Sequence, residues 1–165
     1  MDRDLLEDLR ARIGQVFLLT FEVVKPALAV DFAYHPERRQ YHSSEILARM
    51  MPLVGPKCWR LLGVTGLDLY IPILTYVFGE AQLTGRCALV STHRLHQEFY
   101  GLPPDRELLH QRLLKEAVHE LGHTLELTHC DDYDCVMSSS HSVEWIDLKG
   151  QHLCSACHAR AKTGG

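Results

Sequence analysis

The segment from His119 to His123 reads HELGH, and it restricts this chain more than any other feature of its sequence. Residues four positions apart lie on the same face of an α-helix, about 6 Å from each other. The imidazoles of His119 and His123 can therefore reach one metal ion, because zinc–nitrogen bonds are about 2.0–2.1 Å long. Glu120 projects at a neighbouring angle and can hold a water molecule on that ion without ligating it. The pattern predicts a zinc-binding helix with a carboxylate beside the ion.

Two histidines leave a tetrahedral zinc ion short of ligands, and His129 is the candidate for the third. It follows His123 by six residues, so a continuous helix would carry it about 240° around the axis and about 9 Å along it. The helix must therefore end just after Leu125, and the chain must bend back. The resulting H-E-x-x-H-x5-H spacing is typical of the metzincin zinc motif. Glu144 is the competing third ligand, as in gluzincin sites, and incidental histidines on a surface helix are the remaining alternative.

Four of the six cysteines form a second metal-ligand pattern. Cys130 and Cys135 are followed by Cys154 and Cys157, a spacing that suits a tetrahedral zinc site made of four thiolates. A closed site of this kind fixes a segment that has little apolar sequence of its own. The stretch Cys154–His158 also matches the c-type haem pattern, but haem attachment would leave Cys130 and Cys135 unexplained. A zinc-ribbon module that binds nucleic acid is a further alternative.

Composition and charge limit what else the chain can be. Its 165 residues include 46% hydrophobic and 23% charged residues, as in ordinary globular domains, and the net charge is −4. This acidic balance argues against nucleic-acid binding, which usually needs a basic surface. The mixed-charge segment Met1–Arg12 does not resemble a secretory signal, and no apolar run approaches the roughly 20 residues that span a membrane. We therefore expect a cytoplasmic protein with reduced thiols.

Hydrophobic periodicity predicts a mixed order of helices and strands, and hence an α+β fold. We expect a long helix after an N-cap at Asp105, with His110 facing solvent because it lies 180° away from the zinc-binding face. Shorter helices are predicted over residues 2–13 and Ser43–Met51, and a turn over Gly79–Gly85. Five strands are predicted: Gln15–Val24, Trp59–Val64, Gly66–Ile71, Ile73–Phe78 and Arg86–Ser91.

Taken together, the motifs resemble those of the archaemetzincins, also called archaelysin metallopeptidases. The segments that carry the resemblance are HELGHTLELTHC (His119–Cys130), Cys135-Val136-Met137, CSAC (Cys154–Cys157) and, more weakly, VFGEAQ (Val77–Gln82) and ALVSTHRL (Ala88–Leu95). The resemblance implies a compact metzincin-like fold with a mixed β-sheet, an active-site helix and a zinc-stapled C-terminal tail. We expect a single domain over residues 1–165. Its sheet and active-site helix would occupy 1–125 and its cysteine zinc site 126–165.

The resemblance also implies the ligands and the reaction. It implies a general base at Glu120, and Met137 beneath a catalytic zinc ion. The implied zinc ligands form two sets, one catalytic and one structural: His119, His123 and His129, and Cys130, Cys135, Cys154 and Cys157. The predicted function is hydrolysis of peptides or proteins by a zinc-activated water, with two zinc ions per chain and no nucleic-acid or membrane partner. An exposed strand near Leu74–Phe78 would bind the substrate by β-augmentation.

Two other functions remain open at this point. The chain could be a zinc-stabilised binding or scaffold protein whose histidine site is closed or silent, because small proteins also use metals for stability alone. It could also hydrolyse an amide that is not a protein, by the same zinc chemistry. A monomer is the default expectation, although the sequence does not fix the oligomeric state.

One residue departs from the family pattern. Archaemetzincins usually have glycine between the second and third histidines, where this chain has Glu126. Glycine suits a left-handed turn out of a helix, whereas glutamate in that conformation costs about 1–2 kcal/mol. Zinc binding is worth more than this cost, so we expect the bend to survive with a positive φ at Glu126. A negative, helical φ would mean that the turn is made differently and that His129 is displaced.

Overall fold

The computed structural model describes residues 1–25 and 28–161 of the chain. Its helices are α1 (Arg3–Phe17), α2 (Ser43–Met50), α3 (Arg106–Thr124), α4 (Val143–Leu148) and α5 (Ser155–Arg160). Its strands are β1 (Tyr34–His35), β2 (Gln40–His42), β3 (Leu61–Thr65), β4 (Leu69–Tyr70), β5 (Gly79–Ala81) and β6 (Cys87–Ser91). This mixture confirms the predicted α+β class. Among the described residues, no helix has the length and apolar character needed to cross a membrane.

The described strands form two small sheets, and both are mixed. In the first sheet β6 lies between β3 and β5, parallel to β3 and antiparallel to β5. In the second sheet β2 lies between β1 and β4, antiparallel to β1 and parallel to β4. The predicted strands at Trp59–Val64 and Gly66–Ile71 therefore correspond to β3 and β4, which belong to different sheets.

Strand β6 is the centre of the fold because helices cover both of its faces. Ala88 and Val90 belong to one hydrophobic cluster, and Cys87 and Leu89 belong to another. Alternate residues of a strand point to opposite faces of the sheet, so β6 separates the two clusters. Helices α1 and α3 contribute to the first cluster and α2 to the second. The predicted strand over Arg86–Ser91 is thus confirmed, as a strand buried on both sides.

Helix α3 lies under the first sheet and carries the HELGH segment. It begins at the predicted N-cap, where Asp105 Oδ1 accepts a hydrogen bond of 3.0 Å from the backbone amide of Leu108. Leu114, Val118 and Leu121 are almost fully buried, and their three- and four-residue spacing places them on one face of the helix. This face packs on β6, so the helix is held firmly beside the sheet.

The predicted strand over Gln15–Val24 is wrong. Helix α1 continues to Phe17 and ends at Leu18, whose φ of 56° is left-handed. The aromatic rings of Phe17 and Phe21 then pack against Trp59, with ring centroids 5.6 and 6.0 Å from the Trp59 ring. The apolar run therefore forms a helix end and an irregular segment, whose half-buried aromatic side chains pack together without forming a sheet.

The predicted strand over Ile73–Phe78 is also wrong, and the turn predicted over Gly79–Gly85 is confirmed only in its second half, around Leu83 and Thr84. A turn occupies residues 72–75, and Ile73 at its tip is 86% exposed. The strand is β5, which begins at Gly79 and pairs with β6. Pro72 favours a turn because its ring fixes φ and it has no amide hydrogen to donate, and this outweighs the β-propensity of the apolar residues that follow.

His110 is buried, contrary to the prediction that it faces solvent. Its side chain is 9% exposed, and its Nδ1 atom lies 2.5 Å from Oδ2 of Asp8 on α1. Arg12, also on α1, binds both carboxylate oxygens of Glu107 along the same contact. The prediction placed His110 on the correct side of α3, but its exposure was wrong because α1 covers that side.

Candidate active site and cysteine cluster

The turn after α3 decides where the third histidine lies. The helix ends at Thr124, and Glu126 has a φ of 66°. The amide of Leu127 donates to the carbonyl of Gly122 at 3.2 Å, and the amide of Glu126 donates to that of His123 at 3.1 Å. These two hydrogen bonds define a Schellman motif with Glu126 at its left-handed position. The prediction that the bend survives without glycine is confirmed.

This bend brings the three histidines together. The ring centroid of His119 lies 4.7 Å from that of His123 and 5.3 Å from that of His129, and the last two lie 5.2 Å apart. One nitrogen from each ring lies within 4.8 Å of the other two. The Nε2 atoms of His119 and His123 are 3.2 Å apart, close to the distance of about 3.3 Å between two nitrogens on one tetrahedral zinc ion.

Hydrogen bonds to the backbone fix the protonation of two of the rings. Nδ1 of His119 donates to the carbonyl of Val136 at 2.8 Å, and Nδ1 of His123 donates to that of Leu127 at 2.7 Å. Burial lowers the pKa of both imidazoles, which favours their neutral forms. In the neutral rings the two Nε2 lone pairs face each other at 3.2 Å. A cation between them would remove this repulsion, so the pair fits a metal ion.

His129 completes the cluster from the exposed side. Partial burial lowers the pKa of its imidazole, as in the other two rings. Glu144, the competing candidate, is exposed in the first turn of α4. Within the described part of the chain, it does not belong to the group of ligand atoms that His119 and His123 form with His129. The geometry therefore favours His129 as the third ligand.

Glu120 lies buried beside β5. Its side chain is 6% exposed, and burial, together with the carboxylate of Glu116, raises the pKa of Glu120 well above its usual range. A methyl group on Gly79 would lie 2.8 Å from Cγ of Glu120 and 2.5 Å from the carbonyl oxygen of Leu89, so a glycine is required where the strand approaches this carboxylate. The edge strand that could receive a substrate is therefore β5, and the prediction of an exposed strand at Leu74–Phe78 is wrong by several residues.

Met137 packs against α3 between the two helical histidines. It is fully buried, and a methyl group on Gly122 would overlap its Sδ atom. Glycine inside a helix costs up to about 1 kcal/mol relative to alanine, so this contact explains its presence there. The carbonyl of Val136, the residue before Met137, accepts the hydrogen bond from Nδ1 of His119. The segment around Met137 thus orients one of the candidate zinc ligands.

The four motif cysteines converge on a second point. Their sulfur atoms all lie within 4.8 Å of one another, and those of Cys130 and Cys154 are 3.8 Å apart. A disulfide bond is only about 2.05 Å long, whereas two thiolates on one tetrahedral zinc ion are about 3.8 Å apart. All four residues are free thiols. Their arrangement fits a closed zinc site made of four thiolates.

Backbone amides support the sulfur atoms of this cluster. The amide of Cys154 donates to Sγ of Cys135 at 3.3 Å, and the amide of Cys157 donates to Sγ of Cys154 at 3.4 Å. The second of these hydrogen bonds lowers the pKa of Cys154 to about 7, whereas burial raises the pKa of Cys157 to about 12. A metal ion binds only the deprotonated thiol, so a bound cation would stabilise the Cys157 thiolate. Cys130 directly follows His129, and one peptide bond therefore links the two clusters.

Glu126 offers a direct test of the left-handed turn. We expect Glu126→Val to lower the free energy of unfolding by about 1–2 kcal/mol relative to Glu126→Gly, because a β-branched side chain is strained at positive φ and glycine is not. Urea denaturation of the zinc-loaded variants measures this difference. Equal stability of the valine and glycine variants would contradict a positive φ at this position.

Sequence reasoning missed three residues next to these clusters. Gly79 gives β5 its close approach to Glu120, and Glu116, one helical turn before Glu120 on α3, forms a buried ion pair with Lys149. Glu116 precedes Glu120 by one helical turn, a spacing that could have drawn attention to it. No local pattern marks Lys149 or Gly79, because both act through contacts between distant segments.

Comparison with known proteins identifies relatives over most of the chain. The model of peptidase family M54 matches residues 53–163. The archaemetzincin of Methanocaldococcus jannaschii is 41% identical over 162 residues, which are 98% of this chain and 88% of that protein. The archaemetzincin of Pyrococcus furiosus is 43% identical over 133 residues, or 80% of this chain and 69% of that protein.

Solved structures give the same result. The archaemetzincin of Archaeoglobus fulgidus, crystallised in complex with malonate, has a TM-score of 0.83 and 38% identity, covering 97% of this chain and 94% of that one. A zinc-dependent peptidase of Methanocorpusculum labreanum has a TM-score of 0.85 and 28% identity, covering 95% and 93%.

Proposed function

The chain belongs to peptidase family M54, the archaemetzincins, and is therefore a zinc metallopeptidase, and from this premise we propose that it cleaves peptide bonds with Glu120 as its general base. One observation carries this proposal. A nitrogen atom from each of three imidazoles converges on one point, and the buried carboxylate of Glu120 directly follows the first of these histidines on the same helix. This donor set and its adjacent proton acceptor suit water-mediated hydrolysis.

We propose that His119, His123 and His129 hold the catalytic zinc ion. The facing lone pairs of the first two rings support this assignment, as does the convergence of the third. Three neutral imidazoles would hold the ion without cancelling its charge. When bound, zinc polarises the scissile carbonyl and makes a water molecule in the cleft more acidic.

Glu120 would handle the protons of the reaction. It accepts a proton from the attacking water and later donates it to the nitrogen of the leaving amine. Burial raises the pKa of this carboxylate and so strengthens it as a proton acceptor. An extended peptide that adds to the edge of β5 would pass beside Glu120, because Gly79 of that strand lies against its side chain. The substrate backbone and the base would then lie close together.

We further propose that Cys130, Cys135, Cys154 and Cys157 hold a second, structural zinc ion. The spacing of their sulfur atoms supports a closed site without a place for water. This ion would fix the tail over 126–165 against the rest of a single domain. Such a site needs reduced thiols, which agrees with a cytoplasmic location.

A peptide library tests the proposed activity. We expect zinc-loaded protein to cleave library peptides, to lose this activity when a chelator removes the histidine-bound ion, and to regain it when zinc is restored. Zinc counting before and after chelation, with circular dichroism, shows whether the cysteine-bound ion and the fold are retained. Cleavage that persists after loss of the histidine-bound ion would contradict the proposal. A protein that holds both ions and cleaves no peptide would favour the scaffold alternative.

A further inference from the structure

A buried ion pair that the proposed reaction does not use lies next to the histidine site. Nζ of Lys149 is 3.0 Å from Oε1 of Glu116, and the two side chains are 1% and 4% exposed. The contact is not aligned as a hydrogen bond, and that oxygen has no hydrogen-bond partner among the described residues. Because burial strips both charges of water, an apolar pair of similar size is often at least as stable. Stability alone therefore does not explain why this pair is charged.

The acidic member of the pair lies on the helix that carries the site. Glu116 precedes Glu120 by four residues, so both lie on the same side of α3. Glu116 therefore lies one helical turn before the proposed base, Glu120. A segment that contacts Glu116 is therefore held in place relative to Glu120.

The basic member holds the segment around Met137. Besides its contact with Glu116, Nζ of Lys149 donates to the carbonyl of Ser138 at 3.1 Å. The next residue, Gly150, donates its amide to the carbonyl of Asp134 at 2.8 Å, in the loop before Cys135. The side chain of Lys149 thus joins α3 to the residue that follows the buried Met137, and the backbone of Gly150 holds the loop that precedes it.

Other contacts already fasten α4 to α3. Arg112 binds both carboxylate oxygens of Asp147 at 2.8 Å, and Nζ of Lys115 donates to the carbonyl of Ile146 at 3.1 Å. Helix α4 therefore does not depend on Lys149 for its docking. What Lys149 adds is the link to Ser138, which neither of the other two side chains makes.

We propose that Lys149 and Glu116 are a positioning pair, which ties the Val136–Ser138 segment to the helix that carries His119 and Glu120. The carbonyl of Val136 accepts from Nδ1 of His119 at 2.8 Å, so a shift of this segment turns the ring whose Nε2 faces the candidate metal position. The pair acts through these residues and does not touch the substrate. Its consequence for catalysis rests on the proposed function, whereas its structural role does not.

Three variants of the full, zinc-loaded chain test this role: Lys149→Met, Glu116→Gln and the double variant. Each single change leaves one buried charge without its partner, and we expect Tm to fall by roughly 10 °C. The double variant has no lone charge, so its Tm is expected to return to within about 3 °C of the parent protein. The link to Ser138 remains broken in it. We therefore expect amide hydrogens of residues 136–138 to exchange about tenfold faster, with those of β3 and β6 unchanged.

Lys115→Met is the matched control, because it removes another lysine that donates to backbone carbonyls across the same helix contact. It is expected to leave exchange at residues 136–138 unchanged. Lys149→Arg keeps the positive charge, and we expect the amides of residues 136–138 to remain protected from exchange in it. This variant provides the test if the other single variants do not fold. Parent-like protection of 136–138 in the double variant would overturn the proposal.

A kinetic measurement extends the test to catalysis. On a peptide that the parent protein cleaves, we expect kcat of the double variant to fall about tenfold with KM nearly unchanged, since the pair orients catalytic groups without binding substrate. A parent-like kcat together with faster exchange would overturn the link to catalysis. The exchange measurement needs no peptide substrate, so failure of the positioning role is distinguishable from failure of the proposed function.

Discussion

Glu120→Gln is expected to lower peptide turnover by about 10²–10⁴-fold without loss of zinc. Glutamine has nearly the same shape as glutamate but cannot accept the proton of the attacking water. Its side chain can still occupy the space between α3 and Gly79, so the fold should be retained. Initial rates on a cleaved library peptide measure the effect, and elemental analysis confirms the metal content.

Glu144→Gln is the matched control for this prediction. Glu144 is the other carboxylate considered for the histidine site, but it is exposed on α4. We expect its removal to change turnover less than twofold, because surface substitutions away from a site usually have small effects. Undiminished turnover in Glu120→Gln would refute the assignment of Glu120 as the base.

Cys157→Ser is expected to cause a large loss of stability. Cys157 is fully buried within the main hydrophobic cluster, and its sulfur also accepts from Arg160 at 3.4 Å. Binding of structural zinc is worth about 10–16 kcal/mol in zinc-finger peptides, as much as the entire stability of a typical domain. We expect the free energy of unfolding to fall by at least about 3 kcal/mol and one zinc ion per chain to be lost. Urea denaturation and zinc counting measure both effects.

The same change should also impair the histidine site. His129 is joined to Cys130 by one peptide bond, so loosening the cysteine cluster frees the third imidazole. Cys58→Ser serves as the control, because Cys58 lies outside the cluster and is half-buried. It is expected to keep both ions. A Cys157→Ser protein with unchanged stability and zinc content would contradict the structural role of the cluster.

The zinc-site candidates could be predicted because their geometry is local. His119, Glu120 and His123 occupy fixed positions on one helix, and the helical repeat alone places both imidazoles on one face. The position of His129 followed from the need for a bend, and the structure supplies that bend through a Schellman turn at Glu126. In each case a short stretch of consecutive residues determines where the side chain lies.

The parts that could not be predicted depend on contacts between distant segments. An apolar run such as Gln15–Val24 is consistent with a buried strand, but its aromatic residues pack on Trp59, which is far away in sequence. His110 is covered by a helix about 100 residues earlier in the chain. The pair of Glu116 and Lys149 likewise forms only when α4 docks on α3. Periodicity reports which face is apolar, not what covers the other faces.

Anomalous diffraction at the zinc absorption edge distinguishes coordination by three histidines from other arrangements, because it locates each ion relative to its ligands. We predict two peaks per chain. One should lie about 2.0–2.1 Å from a nitrogen of each of His119, His123 and His129, and the other about 2.3 Å from the four cysteine sulfurs. A peak bound by the two helical histidines alone, with His129 turned into solvent, would contradict the assignment of His129 as the third zinc ligand.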